Sequence, residues 1–98
     1  MPSPLIRPIK TQTPTVVAVE TSTTVVLATN PSRGYALFVN NSNQDMYLGL
    51  GADAVMNQGI RINANGGRYE INDTNLFTGA VNAIASGGAK SLVVTEGI

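Results

Sequence analysis

From Thr15 onward the chain alternates short β-branched or apolar runs with turn residues, and in two of the runs, residues 59–63 and 68–72, apolar and polar positions alternate with a period of two. Thr15-Val16-Val17-Ala18-Val19-Glu20 and Thr23-Thr24-Val25-Val26-Leu27-Ala28 come first. Side chains branched at Cβ suit a pleated surface better than a helix, so both runs predict strands. Asn30-Pro31-Ser32-Arg33-Gly34 is a turn by its Asn-Pro start and its glycine. In Tyr35-Ala36-Leu37-Phe38-Val39-Asn40, Tyr35, Leu37 and Val39 point one way and Ala36 and Phe38 the other. Both sets are mostly apolar, which predicts a central strand covered on two sides. The polar stretch Asn41-Ser42-Asn43-Gln44 is of hairpin size, and Asp45-Met46-Tyr47-Leu48-Gly49-Leu50-Gly51 resumes the strand pattern, so the pair predicts a β-hairpin.

Ala52-Asp53-Ala54-Val55-Met56-Asn57-Gln58 is the one stretch with a helical look, but Gly51 and Gly59 bracket too few residues for a stable helix, and a loop is expected. Gly59-Ile60-Arg61-Ile62-Asn63 and Arg68-Tyr69-Glu70-Ile71-Asn72 alternate cleanly around Ala64-Asn65-Gly66-Gly67, whose Asn-Gly supplies the positive φ of a hairpin turn. Ile60, Ile62, Tyr69 and Ile71 are expected in the core, with Arg61, Arg68 and Glu70 facing solvent or a neighbour. Beyond a turn at Asp73-Thr74-Asn75 and the pair Leu76-Phe77, residues 79–85 and 91–96 flank the loop Ser86-Gly87-Gly88-Ala89-Lys90 and predict a last hairpin. About eight short strands, evenly spaced and punctuated by Gly and Asn, predict an all-β chain: a single small β-sandwich or jelly-roll-like barrel over residues 15–98. The length of 98 residues fits one domain.

Residues 1–14 read differently. They hold four of the five prolines, at Pro2, Pro4, Pro8 and Pro14, and each fixes φ and removes a ladder donor, so an extended N-terminal arm is expected. Its apolar Leu5, Ile6 and Ile9 are too few for a core, and the expectation is that they lie along a partner. No apolar segment of signal-peptide length stands at the start, and no run approaches the ~20 apolar residues of a membrane span. A soluble or particle-bound protein with no membrane partner is expected.

Composition sharpens this. Charged residues make up 12% of the chain, against about 25% in an ordinary globular protein, and six basic residues cancel six acidic ones. Without a basic run, the electrostatic term that drives nucleic-acid binding is missing, and no nucleic-acid partner is expected. Near-zero net charge means little repulsion between copies, which an assembled subunit tolerates. The chain has neither Cys nor His. A disulfide or a zinc site is then no staple for so small a domain, and oligomerisation is the natural substitute.

Lacking His and Cys, any catalysis would fall to carboxylates, Lys, Tyr or hydroxyls. Glu20, Asp45, Asp53, Glu70, Asp73 and Glu96 are scattered over turns and strand faces, whereas a glycosidase needs two carboxylates across one cleft. Glu70, opposite Arg68 or Arg61, reads as a surface ion-pair group. The expectation is no enzyme, no cofactor and no metal. Gly49-Leu50-Gly51 and Ala64-Asn65-Gly66-Gly67 do not join a strand to a helix and so read as turns, not phosphate loops. Asp45, Asp53 and Asp73 lie near Asn-bearing loops, as calcium ligands would, but without a recognisable spacing. Asn40-Asn41-Ser42 and Asn72-Asp73-Thr74 match the glycosylation triplet by chance in an Asn-rich chain. Tyr35, Tyr47, Tyr69, Phe38 and Phe77 could build a sugar-stacking platform, but aromatic residues in strands are more often core.

Taken together, Asn30-Pro31-Ser32-Arg33-Gly34-Tyr35-Ala36-Leu37-Phe38-Val39-Asn40-Asn41, the run from Asp45 to Gly51, Gly59-Ile60-Arg61-Ile62 with Gly66-Gly67-Arg68-Tyr69-Glu70-Ile71, Phe77-Thr78-Gly79-Ala80-Val81-Asn82-Ala83-Ile84-Ala85 and Leu92-Val93-Val94-Thr95-Glu96-Gly97 resemble small structural proteins encoded among the virion genes of tailed bacteriophages. The likeness covers roughly residues 25–97 and consists of turn-and-strand patterns. It implies a β-sandwich that decorates or cements the capsid: a virion protein on the capsid surface, assembled in the host cytoplasm. Its partners would be the major capsid protein and itself, as dimer or trimer. The alternative is a head-fibre or tail-associated receptor- or glycan-binding module. A third class, a small metal-dependent hydrolase, would need a bound metal. On the leading reading Leu5, Ile6, Arg7 and Ile9 are expected to contact the capsid or a sister subunit.

Overall fold

A computed structural model of the chain describes residues 9–98. These form eight strands and no helix: β1 (Gln12–Val19), β2 (Thr24–Leu27), β3 (Tyr35–Asn40), β4 (Met46–Leu50), β5 (Ile60–Ile62), β6 (Arg68–Ile71), β7 (Val81–Ala85) and β8 (Lys90–Gly97). Each falls on a β-branched, apolar or alternating run that predicts it. The start of β1 is earlier than the expected boundary at Thr15. Lys10 N and Thr11 N donate to Ile98 O (2.9 and 3.3 Å), and Ile98 N donates back to Thr11 O (3.0 Å).

Because Thr11 and Ile98 exchange both bonds, alternation along an antiparallel ladder turns the main-chain groups of residues 13, 15, 17 and 19 toward β8. Those of residues 12, 14, 16 and 18 turn away from it. Pro14 therefore occupies a position whose missing N–H would not have met β8, and the strand runs through it undisturbed.

The sheets are four-stranded and antiparallel, one ordered β1-β8-β3-β6 and the other β2-β7-β4-β5. Four of the pairings nest: β4 with β5, β3 with β6, β2 with β7 and β1 with β8. The chain is one long double ribbon rolled into a sandwich, which is the jelly-roll topology. Three hairpins expected from sequence are absent. β3 and β4, β5 and β6, and β7 and β8 each lie in opposite sheets, so their connections cross the sandwich. Among the described residues only β4 and β5 are neighbours both in sequence and in a sheet.

The Asn-Gly turn shows why the expectation failed. Asn65 (φ 59°) and Gly66 (φ 106°) do adopt the positive φ that the sequence demands. Their amides, however, donate to Ser42 O and Asn40 O, both at 2.8 Å, so the turn is stitched to the end of β3 and redirects the chain between sheets.

Inward residues of both sheets fill the core, with Val19, Ala36, Phe38, Met46, Leu48, Ile62, Ile71, Val81, Leu92 and Val94 all buried. Phe38 stacks on Tyr69 with ring centroids 6.5 Å apart. Burying each of the larger side chains contributes about 1.5–3 kcal/mol. Ile62 and Ile71 are fully buried and Ile60 and Tyr69 pack against the core, while Arg61, Arg68 and Glu70 are exposed, as the alternation predicts.

Two polar side chains are also fully buried. Arg33 donates from Nε to Glu96 (2.7 Å), from Nη1 to Phe77 O and Gly79 O (both 2.9 Å), and from Nη2 to Ala28 O (2.5 Å). It bolts the β2–β3 turn to the β6–β7 connection and to β8. Asn40 donates to Gln44 O (2.7 Å) and Ile62 O (3.0 Å), and its Oδ1 accepts from Ser42 N and Oγ. That closes the corner where β3 leaves its sheet for β4 in the other.

Candidate interaction surface

The two outer faces of the sandwich differ. Over the β2-β7-β4-β5 sheet, the connection of residues 51–59 folds back as a flap. Ala54 and the partly buried Met56 pack on Tyr47 and Ile84, which are 8% exposed each, forming a second small core. Asn82 Nδ2 donates to Ala52 O (2.6 Å), Tyr47 Oη to Asn57 (3.1 Å) and Ala54 N to Thr23 Oγ1 (2.9 Å). Gly49 permits this approach, since a Cβ there would lie 2.6 Å from Ala52 O. Beside the flap, Leu48, Gly49, Asp53, Val55, Gln58 and Gly59 line a shallow cleft of about 170 Å³, small for an organic ligand.

The outer face of the β1-β8-β3-β6 sheet has no described element over it. This corrects the expectation that β3 is covered on both sides: β3 is central in its sheet, but Tyr35, Leu37 and Val39 are only half-buried, by their in-plane neighbours. The register aligns Val16, Val93 and Val39 in one row across three strands, and Pro14, Thr95 and Leu37 in the next. Val16 is 66% exposed. The result is an open apolar strip, bordered on β6 by Arg68 and Glu70.

At the border Tyr35 Oη donates to Glu70 (2.8 Å), and Asn72 Nδ2 donates to its other oxygen (3.1 Å). The bond from Tyr35 and then that from Asn72 hold the Glu70 carboxyl below the usual glutamate range. The bond to Glu70, followed by burial, raises the Tyr35 hydroxyl. Glu70 thus pairs with Tyr35 and Asn72 by hydrogen bonds, rather than forming the expected ion pair. Arg61, in the opposite sheet, instead meets Asp45 at 2.7 Å.

Of the arm residues expected at an interface, Leu5, Ile6 and Arg7 lie outside the described residues. Ile9 is half-buried against its own domain: a Cβ on Gly97 would come within 2.8 Å of Ile9 Cγ2 and 3.2 Å of Tyr35 Cβ. The glycine at 97 lets the base of the arm seat there.

The candidate chemical groups stay dispersed. Asp45 is engaged by Arg61 and by Ala64 N (2.8 Å), and no group of three or more carboxylates gathers among the described residues. Asn40 and Asn72 each accept both the amide and the hydroxyl of the residue two ahead, Ser42 and Thr74. The Asn-x-Ser and Asn-x-Thr triplets are therefore Asx turns at strand ends, and the first is inaccessible because Asn40 is fully buried. Phe38, Tyr69 and Phe77 pack in the main core and Tyr47 beneath the flap, which leaves Tyr35 as the aromatic residue on the open face among the described residues.

Sequence reasoning missed the flap and the burial of Arg33. The glycine at 49 hinted at the first; nothing local signals the second. No protein-family model matches this chain, and neither the curated proteins nor the solved structures offer a significant match.

Proposed function

We propose that this protein is a non-enzymatic virion component of a tailed bacteriophage, a decoration or cement subunit that docks on the outer surface of the major capsid protein and stabilises the head. The observation that supports this reading best is the asymmetry of the two faces. One face is partly covered by the chain's own flap, which buries Tyr47 and Ile84, while no described element lies over exposed Val16 and half-buried Leu37, Val39 and Val93 on the other. An apolar strip with few charges suits the centre of a protein–protein interface. Repeated many times over a lattice, a modest contact adds up to substantial resistance to internal pressure, and no reactive group is needed.

The arm adds reach. The ladder from Lys10 to Ile98 fixes its base beside the open face, so Leu5, Ile6 and Arg7 are proposed as additional contacts to the capsid or a neighbouring subunit. Two variants test this on purified particles: deletion of residues 2–8, which leaves the ladder intact, and Leu37→Lys on the open face. Both are expected to lower occupancy on heads, read by sedimentation and gel densitometry. Unchanged occupancy in both contradicts the proposal.

A head-fibre or tail-associated glycan-binding module is the second reading, favoured by the exposed Tyr35–Glu70–Asn72 row of hydrogen-bonding groups. It predicts a glycan-array signal that Tyr35→Ala removes.

A further inference from the structure

A β-sandwich has sheet edges, and an edge strand carries main-chain donors and acceptors that can pair with another chain. The four edges of this fold are not treated alike. β6 has four residues and carries exposed Arg68 and Glu70; β5 has three residues and carries exposed Arg61; β2 has four residues and a register shift between Val25 and Leu27. Shortness, charge and bulges are the devices that keep an edge from pairing.

β1 has eight residues, Gln-Thr-Pro-Thr-Val-Val-Ala-Val, without a charge. Pro14 is the one blocking residue on it, and it guards only the N-terminal half. Beyond Pro14, the amide and carbonyl groups of Val16 and Ala18 face away from β8, as the Thr11–Ile98 exchange dictates. Gly97 O corroborates the phase of the ladder: it points to the other side of β8 and accepts from Gly34 N (2.9 Å).

We infer that the outer edge of β1, which no described strand pairs, is a self-association site, where a second copy of this chain adds its own β1 antiparallel about a two-fold axis. With Val17 on the axis, Val16 of each copy faces Ala18 of the other, and four main-chain hydrogen bonds form without involving Pro14. Lys10 precedes β1 and Glu20 follows it, so antiparallel pairing keeps the two Lys10 ends and the two Glu20 ends apart, whereas in-register parallel pairing would set like on like. Six basic and six acidic residues leave no net repulsion between copies. Pairing covers Val16, the most exposed of the large apolar side chains on the described surface. It also merges two four-stranded sheets into one of eight strands, in which each Val16–Val93–Val39 row runs on into the Ala18–Ser91 row of the other copy.

Sedimentation equilibrium and amide hydrogen exchange on the full chain test this independently of any virion role. The expected result is a dimer whose Val16 and Ala18 amides are protected and lose protection on dilution. Val16→Lys sets two ammonium groups diagonally across the axis and is expected to raise the dissociation constant about tenfold or more, with the circular dichroism spectrum unchanged. Val25→Lys, at the equally exposed β2 edge, is the control and is expected to leave the dimer intact. A chain that stays monomeric at every concentration overturns the inference. So does an oligomer in which the Val16 and Ala18 amides exchange at the rate of free peptide, whether or not the variant folds.

Discussion

Arg33 carries a permanent charge to the end of the sandwich, fully buried, where Glu96 and three carbonyl oxygens receive it. Charge-assisted bonds of this kind are individually strong, and removing one partner strands the other. Arg33→Met is expected to destabilise the fold by about 3 kcal/mol, read from chemical denaturation, a large part of the ~5–15 kcal/mol available to a domain of this size. Little of this is legible beforehand. Asn30-Pro31-Ser32-Arg33-Gly34 announces a turn, but its ion-pair partner is 63 residues away, and no local pattern encodes that distance. The Tyr35–Glu70 pair makes a titration prediction. The lowered Glu70 value means that its contribution is present at neutral pH and is lost as pH falls through the folded-state value. The raised Tyr35 value means that its contribution is lost at alkaline pH, above the ordinary tyrosine range. Tyr35→Phe is expected to move the Glu70 carboxyl back up toward its ordinary value, as followed by NMR.

Strands are a different matter from their partners. Alternation reports which side chains share a face, and together with β-branched runs and turn residues it identifies all eight strands, including the three-residue β5. It carries no information about which strand lies alongside, so proximity in sequence suggested hairpins where the chain crosses the sandwich. Ala64-Asn65-Gly66-Gly67 is the instructive case. The backbone conformation was readable from residue type, whereas the bonds to Asn40 and Ser42 depend on where β3 ends. The flap gives the prediction at this scale. Gly49→Ala would drive a methyl group against Ala52 O and Asp53 O, at 2.6 and 2.8 Å. It is expected to cost about 1–3 kcal/mol and to speed exchange of the Ala54 amide, because the connection must lift from Tyr47 and Ile84. Unaltered exchange across residues 51–59 would show that the flap does not depend on this close approach.

For the molecule as a whole, about eight short strands punctuated by Gly and Asn were sufficient to predict a small all-β sandwich or jelly-roll-like barrel. The choice between them and the strand order emerged only from the nested pairings, and the contrast between a flap-covered face and one with no described element over it only from the flap. The role proposed rests on that contrast together with the resemblance expected from the turn-and-strand motifs; the carboxylates that could have argued for chemistry remain apart among the described residues. The most direct measurement is quantitative mass spectrometry of purified particles, counting this chain against the major capsid protein. A decoration subunit is expected at a fixed lattice ratio, with hundreds of copies on each head. A handful of copies, or none, would contradict the account.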